Sequence, residues 1–171
     1  TELGSIKINK EERAKMLKTI PRNSIIGFLI GVLPGAGATI ASFLAYGMER
    51  NLVSDEEKEK FGKGSVHGLA APETANNAAC SGAFVPLLTL GIPGSGTTAV
   101  MLGALLGFGI QPGPRLYVTN PEIFWSVIMS MYIGMVILLI LNLPLIPYIA
   151  RILAVPKNYL IPLILFFSIT G

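Results

Sequence analysis

Leu90-Gly91-Ile92-Pro93-Gly94-Ser95-Gly96-Thr97-Thr98 interrupts an apolar run, and the reading of that interruption decides the fold. An earlier stretch, Leu33-Pro34-Gly35-Ala36-Gly37-Ala38-Thr39, echoes it at an offset of 59 residues: Pro34 maps to Pro93, Gly35 to Gly94, Gly37 to Gly96 and Thr39 to Thr98. Proline lacks the backbone donor a helix needs, and adjacent glycines free the backbone, so each stretch is expected to end one helix and open another. Apolar residues lie on both sides of each break, which places the breaks at membrane depth.

The composition around these motifs points the same way. The 171 residues are 51% hydrophobic and only 13% charged, with a mean hydropathy of +0.62, the profile of a membrane protein and not of a soluble domain. Apolar runs cover Ser24 to Gly47, Cys80 to Ile110, Ile123 to Ala150 and Leu160 to the end. The first three each exceed the roughly 20 residues that span a bilayer as a helix, so roughly three or four membrane elements are expected. The chain starts at Thr1 without a methionine and stops at Gly171 inside an apolar run, which predicts a segment of a larger membrane protein. Residues 1–23 are charged, so no secretory signal opens it. A lone Cys80 excludes an internal disulfide and has no partners for a metal site. The net charge of +3 lies in segments flanking apolar runs, which suits a lipid bilayer and argues against nucleic acid.

Taken in order, residues 1–23 read as a basic interfacial helix or linker, carrying Lys7, Lys10, Arg13, Lys15, Lys18 and Arg22 with Glu2, Glu11 and Glu12; Glu11 and Lys15 have helical i,i+4 spacing. Residues 24–171 read as a partial transmembrane transport domain. Within it, 24–47 is a broken helix whose halves, Ser24 to Leu33 and Ala38 to Gly47, each extend about 15 Å, half a bilayer core. That suits a discontinuous spanning helix or a re-entrant hairpin, and the bases flanking both ends (Arg22 before; Arg50, Lys58, Lys60 and Lys63 after) favour the hairpin. Residues 49–79 form a polar loop and helix. Ser54 is placed as an N-cap with Glu57 in the capping-box position, and Pro72 in the first turn of a helix. On that helix Glu73, Asn76 and Asn77 fall at i, i+3 and i+4, a polar stripe among alanines just before an apolar run. Residues 80–110 form the second broken helix, and Gln111-Pro112-Gly113-Pro114 a stop-and-turn signal. Residues 121–150 read as a spanning helix started by Asn120, Pro121 and Glu122, with Trp125 and Tyr148 at its interfaces, Pro144 and Pro147 bending or ending it, and Arg151 and Lys157 beyond. Residues 158–171 form a truncated helix. The fold class is therefore an all-α integral membrane protein, with broken or re-entrant helix pairs plus spanning helices.

Backbone groups freed by a break inside a membrane must be buried in protein or line a polar cavity, so each interruption is also a candidate site. A glycine-rich turn opening a helix directs free N–H groups and the positive dipole end at one point, which suits an anion. The amides of Gly35 to Ala38 and Gly94 to Thr97, with the hydroxyls of Thr39, Ser95, Thr97 and Thr98, can hydrogen-bond a carboxylate. Substrate contact is accordingly assigned to Pro34, Gly35, Gly37, Thr39, Pro93, Gly94, Ser95, Gly96, Thr97 and Thr98, with Asn76 and Asn77. Gly91 to Thr98 also fits the spacing of a nucleotide-binding loop, but Thr97 stands where that loop needs lysine and no strand precedes it. Gly27, Gly31, Ala99, Gly103 and Gly107 recur every four residues and are assigned to close helix packing. Packing alone would make the chain a non-transporting scaffold, the alternative function. His67 is given a loop or capping role. No nucleophile and base pair or metal cluster supports an enzyme.

The motifs A-P-E-x-A-N-N-A, L-T-L-G-I-P-G-S and G-x-Q-P-G-P within Phe61 to Pro114, together with the earlier L-P-G-A-G, closely resemble the large membrane subunit of tripartite tricarboxylate transporters, in its second half. The resemblance implies a multi-pass protein of the bacterial inner membrane that takes up carboxylates such as citrate by secondary transport. It implies three partners: a small membrane subunit, a periplasmic solute-binding protein and a coupling cation, Na+ or H+, with no other cofactor. It also aligns Glu73, Asn76 and Asn77 with an acidic-amide motif; cation coupling is placed at Glu73 and Asn77. His67 departs from that pattern, in which an acidic residue often precedes the glycine.

Overall fold

The computed structural model describes residues 8–150 and 157–170, and the described residues are helices and turns without a strand. Glu2, Lys7 and Arg151, named above for their charge, lie outside that set. The described residues divide into two compact units, one up to Ile128 and one from Met129 on.

The first unit is built on three helices. Helix α1, Lys10–Val32, starts at Asn9, whose side chain accepts from the Glu12 amide at 2.7 Å while Glu12 accepts from the Asn9 amide at 2.9 Å, a reciprocal capping box. It continues through Pro21 to Val32, so the expected boundary near residue 23 does not exist: the basic flank and the first apolar half are one helix of about 35 Å. The chain turns through Leu33–Ala36 and returns as α2, Gly37–Leu52. Arg22 and Asn23 meet Glu49 across this pair, so the two helices run antiparallel with both open ends on one side, the hairpin form of the broken helix. A one-turn helix α3, Asp55–Lys58, follows. Ser54 precedes it but makes no capping bond, and the expected capping box is absent because Glu57 instead binds Lys15 and Lys60. Helix α4, Val66–Gly82, begins at Ser65, whose hydroxyl accepts from the Gly68 amide. Pro72 therefore lies inside this helix and not in its first turn.

Three stripes at four-residue spacing bring these helices together. Thr19, Asn23, Gly27 and Gly31 are buried on α1; Ala41, Ala45 and Glu49 on α2; His67, Ala71, Ala75 and Ala79 on α4. Small residues let backbones touch: a Cβ at Gly27 would fall inside the backbone of Ala75, and one at Gly31 inside that of Ala79. Gly82 meets the Phe28 carbonyl in the same way. The order Gly27 to Ala75, then Gly31 to Ala79, makes α1 and α4 parallel. Dispersion between close backbones, and not bulky side chains, carries this core.

Helix α5, Phe84–Leu90, and helix α6, Gly96–Gly107, flank the second motif. The short α7, Leu116–Thr119, leads to α8, Pro121–Ala150, which crosses from the first unit into the second. Helix α8 runs past Pro144 and Pro147 to Ala150, so neither ends it; a proline removes one ladder bond and leaves the remainder of the helix intact. Its stretch Pro121–Ile149 is the one candidate span among the described residues, long and apolar enough to cross a membrane and with no buried residue. The other expected membrane elements are shorter helices. Trp125 and Tyr148 are exposed near the two ends of this stretch. The second unit also contains α9, Lys157–Thr170, short and apolar.

Candidate functional site

The two Pro-Gly turns meet. The Gly35 amide donates to the Gly94 carbonyl at 3.3 Å, closing the first turn onto the second. On the first side the Leu33 amide donates to the Ile30 carbonyl where α1 ends, and Gly35 and Gly37 sit at φ +84° and +68°. A Cβ at either glycine would meet nothing within 4 Å, so glycine is there for its backbone conformation and not for packing. On the second side Gly91, at φ +70°, ends α5 with its amide on the Leu87 carbonyl, a left-handed stop, and the Ile92 amide reaches back to the Pro86 carbonyl. Gly94 is buried against Ala83 and Gly31.

The Gln111-Pro112-Gly113-Pro114 segment folds back onto the same place. The Gly113 amide donates to the Leu88 carbonyl at 3.3 Å, and a Cβ on Gly91 would lie 2.8 Å from the Pro112 carbonyl. Three proline-glycine segments far apart in sequence thus share one end of the helix cluster.

At the start of α6, Ser95 and Thr98 cap each other: the Thr98 amide donates to Ser95 Oγ at 3.2 Å and the Ser95 amide to Thr98 Oγ1 at 2.8 Å. Thr98 is buried and its hydroxyl is committed to Ser95, which makes it a structural residue and not a ligand group. Gly96 and Thr97 are exposed on the first turn of α6, where helix geometry leaves amides without intrahelical acceptors. Gly37 and Ala38 hold the same position on α2, with Thr39 exposed beside them and Pro34 and Pro93 bracketing the two turns.

The polar stripe of α4 divides. Asn76 Nδ2 donates to Ser42 Oγ at 3.3 Å, and Ser42 bonds the carbonyls of Ala38 and Pro72 at 2.9 and 3.2 Å. Asn76 is thereby linked through Ser42 to the first turn of α2. Glu73 and Asn77 are exposed, with Asn77 Nδ2 on the Glu73 carbonyl oxygen at 3.0 Å. Among the packing glycines, Gly27 and Gly31 are in backbone contact, while Gly103 and Gly107 have open space at the Cβ position.

A second polar centre lies at the opposite end of the bundle. Glu49, fully buried, accepts from Thr19 Oγ1 at 3.0 Å, Arg22 Nη2 at 2.6 Å, Arg22 Nε at 3.2 Å and Asn23 Nδ2 at 2.9 Å. His67 is not a loop or cap residue: it is buried in the first turn of α4, with Nδ1 2.7 Å from Thr19 Oγ1 and 3.3 Å from Glu49 Oε1. Glu49, Thr19 and Asn23 carried no motif. Their signal was spacing, since each continues a buried four-residue stripe toward the polar end. Further out, Lys15 joins Glu11 at 2.9 Å and Glu57 at 3.1 Å, and Lys60 joins Glu57 at 2.7 Å. Hydrogen bonds from Lys60 and Lys15 hold the Glu57 carboxyl below the ordinary carboxylate value despite partial burial. The bond to Glu57 raises the Lys60 ammonium above its own. No cluster of metal-ligating side chains occurs among the described residues.

Helix breaks that meet at a shared point, in a chain that also carries a helix apolar on every side, are marks of membrane transport proteins. The chain matches the family model of the tripartite tricarboxylate transporter TctA family over residues 1–171, and it belongs to that family, a family of membrane transporters and not of enzymes. Two proteins of Agrobacterium vitis are similar to it. An uncharacterized 52.8 kDa protein in the TAR-I ttuC' 3' region is 43% identical over 164 residues, 96% of this chain and 32% of that protein. An uncharacterized protein in the TAR-II ttuC' 3' region is 46% identical over 145 residues, 85% of this chain and 59% of that protein. The chain therefore spans less than two thirds of the length of these curated relatives. No solved structure matches it.

Proposed function

We infer that this chain forms part of a permease for organic carboxylates, tricarboxylates such as citrate among them, in the bacterial inner membrane. Uptake is coupled to a Na+ or H+ gradient, the substrate arrives on a periplasmic solute-binding protein, and a small membrane subunit completes the assembly. The observation that carries this reading is the bond between Gly35 and Gly94, which brings two helix starts to one point. The amides of Gly37, Ala38, Gly96 and Thr97, with the hydroxyls of Thr39 and Thr97, form a neutral donor set there. Such a set orients a carboxylate through hydrogen bonds and dipoles without a counter-charge, so the anion still dissociates. Ser95 and Thr98 hold the α6 start in shape, and Asn76 acts through Ser42 on the α2 start.

The alternative, a scaffold whose glycines only pack helices, is favoured by the backbone contacts of Gly27, Gly31 and Gly82. It does not account for Gly35 and Gly37, which touch nothing at the Cβ position yet adopt positive φ. The test is uptake of labelled carboxylates by the full-length parent with its binding protein, normalised to folded protein in the membrane. Thr97→Val and Gly94→Leu are expected to lower uptake selectively. Unchanged uptake in both removes the turns from the site, and loss only in proportion to folded protein supports the scaffold.

A further inference from the structure

We propose that the Thr19–Arg22–Glu49–His67 cluster is a proton-binding site at the open end of the hairpin, in which a proton taken up by His67 transfers Glu49 from Arg22 of α1 to His67 of α4. The site is defined by contacts that the transport reading leaves unused.

Its resting state follows from counting donors. A carboxylate offers about four lone-pair positions. Glu49 fills them with the Thr19 hydroxyl, two guanidinium N–H groups of Arg22 and the Asn23 amide. A protonated Glu49 would turn an O–H against one of these donors, so Glu49 is the anion. The Thr19 hydroxyl has one hydrogen, and it lies between Thr19 and Glu49 Oε1. His67 Nδ1, 2.7 Å from Thr19 Oγ1, must then be the donor to that oxygen. The other tautomer would swing the Thr19 hydrogen onto Nδ1 and leave two bare oxygens 3.0 Å apart. With Nδ1 carrying the hydrogen, Nε2 is the free basic nitrogen, and imidazole is the side chain whose charge changes between about pH 5 and 8.

A proton on Nε2 adds a second cation to a cluster holding one carboxylate and one guanidinium. The charged groups bonded into it are Glu49 from α2 and Arg22 from α1; Ser65 and Ala71, around His67 on its own segment, are neutral. The ring, now charged and with Nδ1 3.3 Å from Glu49 Oε1, competes with Arg22 Nη2 for that carboxylate. Arg22 is the one with an exit, because its side chain is 38% exposed whereas that of His67 is 11% exposed. Asn23 Oδ1, buried without a partner among the described residues, shows that the network keeps an acceptor in reserve. The exchange loosens the α1–α2 clamp and tightens α2 on α4, a change in how the hairpin is held. Its consequence for uptake rests on the transport reading above; the site itself does not.

The test is NMR of the full chain in lipid nanodiscs, labelled at histidine and at arginine Nε. His67→Gln identifies the His67 signal and Arg22→Lys that of Arg22 Nε. The His67 ring signal is expected to change as pH falls, and the Arg22 Nε–H signal to move with the same midpoint. In His67→Gln the Arg22 signal should no longer respond to pH. A His67 ring that does not titrate, or an Arg22 signal that moves unchanged in His67→Gln, overturns the proposal. Should His67→Gln fail to fold, Thr19→Val keeps the imidazole and removes the bridging hydroxyl: a shifted His67 midpoint supports the site, an unshifted one overturns it. Uptake that is flat with pH while the two signals titrate together would overturn only the link to transport.

Discussion

The two ends of the α1–α2–α4 bundle are held in opposite ways. At the open end, Thr19, Arg22, Asn23, Glu49 and His67 meet through side chains, with a buried charge at the centre. At the turn end the contact is backbone to backbone, Gly35 to Gly94, and the defining residues have no side chains. Between them lie Gly27, Gly31, Ala75 and Ala79, too small to act except by allowing close approach. A side-chain network depends on each partner and on its charge. A backbone junction depends on φ and space, and it remains uncharged.

The largest effect is expected where both ends depend on the same contact. Gly27→Leu drives a side chain into the Ala75 backbone, and the α1–α4 pairing has no room to yield. Folded protein in detergent, measured by size-exclusion profile, should be lost, whereas Gly103→Leu, with open space at its Cβ, should leave the profile unchanged. Equal behaviour of the two variants would mean that close packing does not order the bundle.

Glu49→Ala should come next. It strands Arg22 and the Asn23 amide, and breaking a buried ion pair costs on the order of 3–5 kcal/mol; because Arg22 reaches water, a value of about 2 kcal/mol is expected. Thermal unfolding of purified protein checks it. Arg22→Ala should lose a similar amount, since it leaves the buried carboxylate without its cation. A double variant no worse than either single one would show that the two residues act as a unit.

Gly35→Ala is expected to cost about 1–2 kcal/mol, the penalty of placing a Cβ in the left-handed region, because at φ +84° there is space but no comfortable conformation. Gly94→Ala should be milder, since its Cβ would make ordinary contact with Ala83 at 3.4 Å. If the order reverses, the turn end is limited by packing and the contrast between the two ends weakens.

The turns were legible because proline and glycine act locally: whichever helices surround them, they break the ladder at residues 33–36 and 91–95. The bases flanking both ends of the first break, Arg22 before and Arg50, Lys58, Lys60 and Lys63 after, are what favoured the hairpin. The polar end was hidden because its members carry no local signal. Glu49 reads as the start of a charged loop until Ala41 and Ala45 are seen to place it on a buried stripe. His67 reads as a loop residue until Ser65 starts the helix two positions earlier. The Glu73, Asn76 and Asn77 stripe was correct in spacing, yet a shared helix face does not fix which member packs inward, and only Asn76 meets α2. Pro144 and Pro147, expected to bend or end the helix over 121–150, do not end it: α8 runs over Pro121–Ala150, because each proline removes only one ladder bond.

The smallest effect belongs to the outermost contacts of the polar end. Lys60 and Lys15 hold Glu57 below its ordinary value near 4.5. A depressed carboxyl stabilises the fold above the unfolded value, and that stabilisation disappears as pH falls from about 4.5 through the folded value. Glu57→Gln should therefore leave the melting temperature nearly unchanged in acid and lower it slightly at neutral pH, by well under 1 kcal/mol since the lysines are partly in water. The comparison with Glu49 is then a matter of depth. Salt should erase most of the Glu57 effect, because its lysine partners are solvated, and very little of the Glu49 effect, because that carboxylate is fully buried. Melting curves of both variants at low and high ionic strength separate the two, and an equal salt response would place Glu49 in water, contrary to its burial.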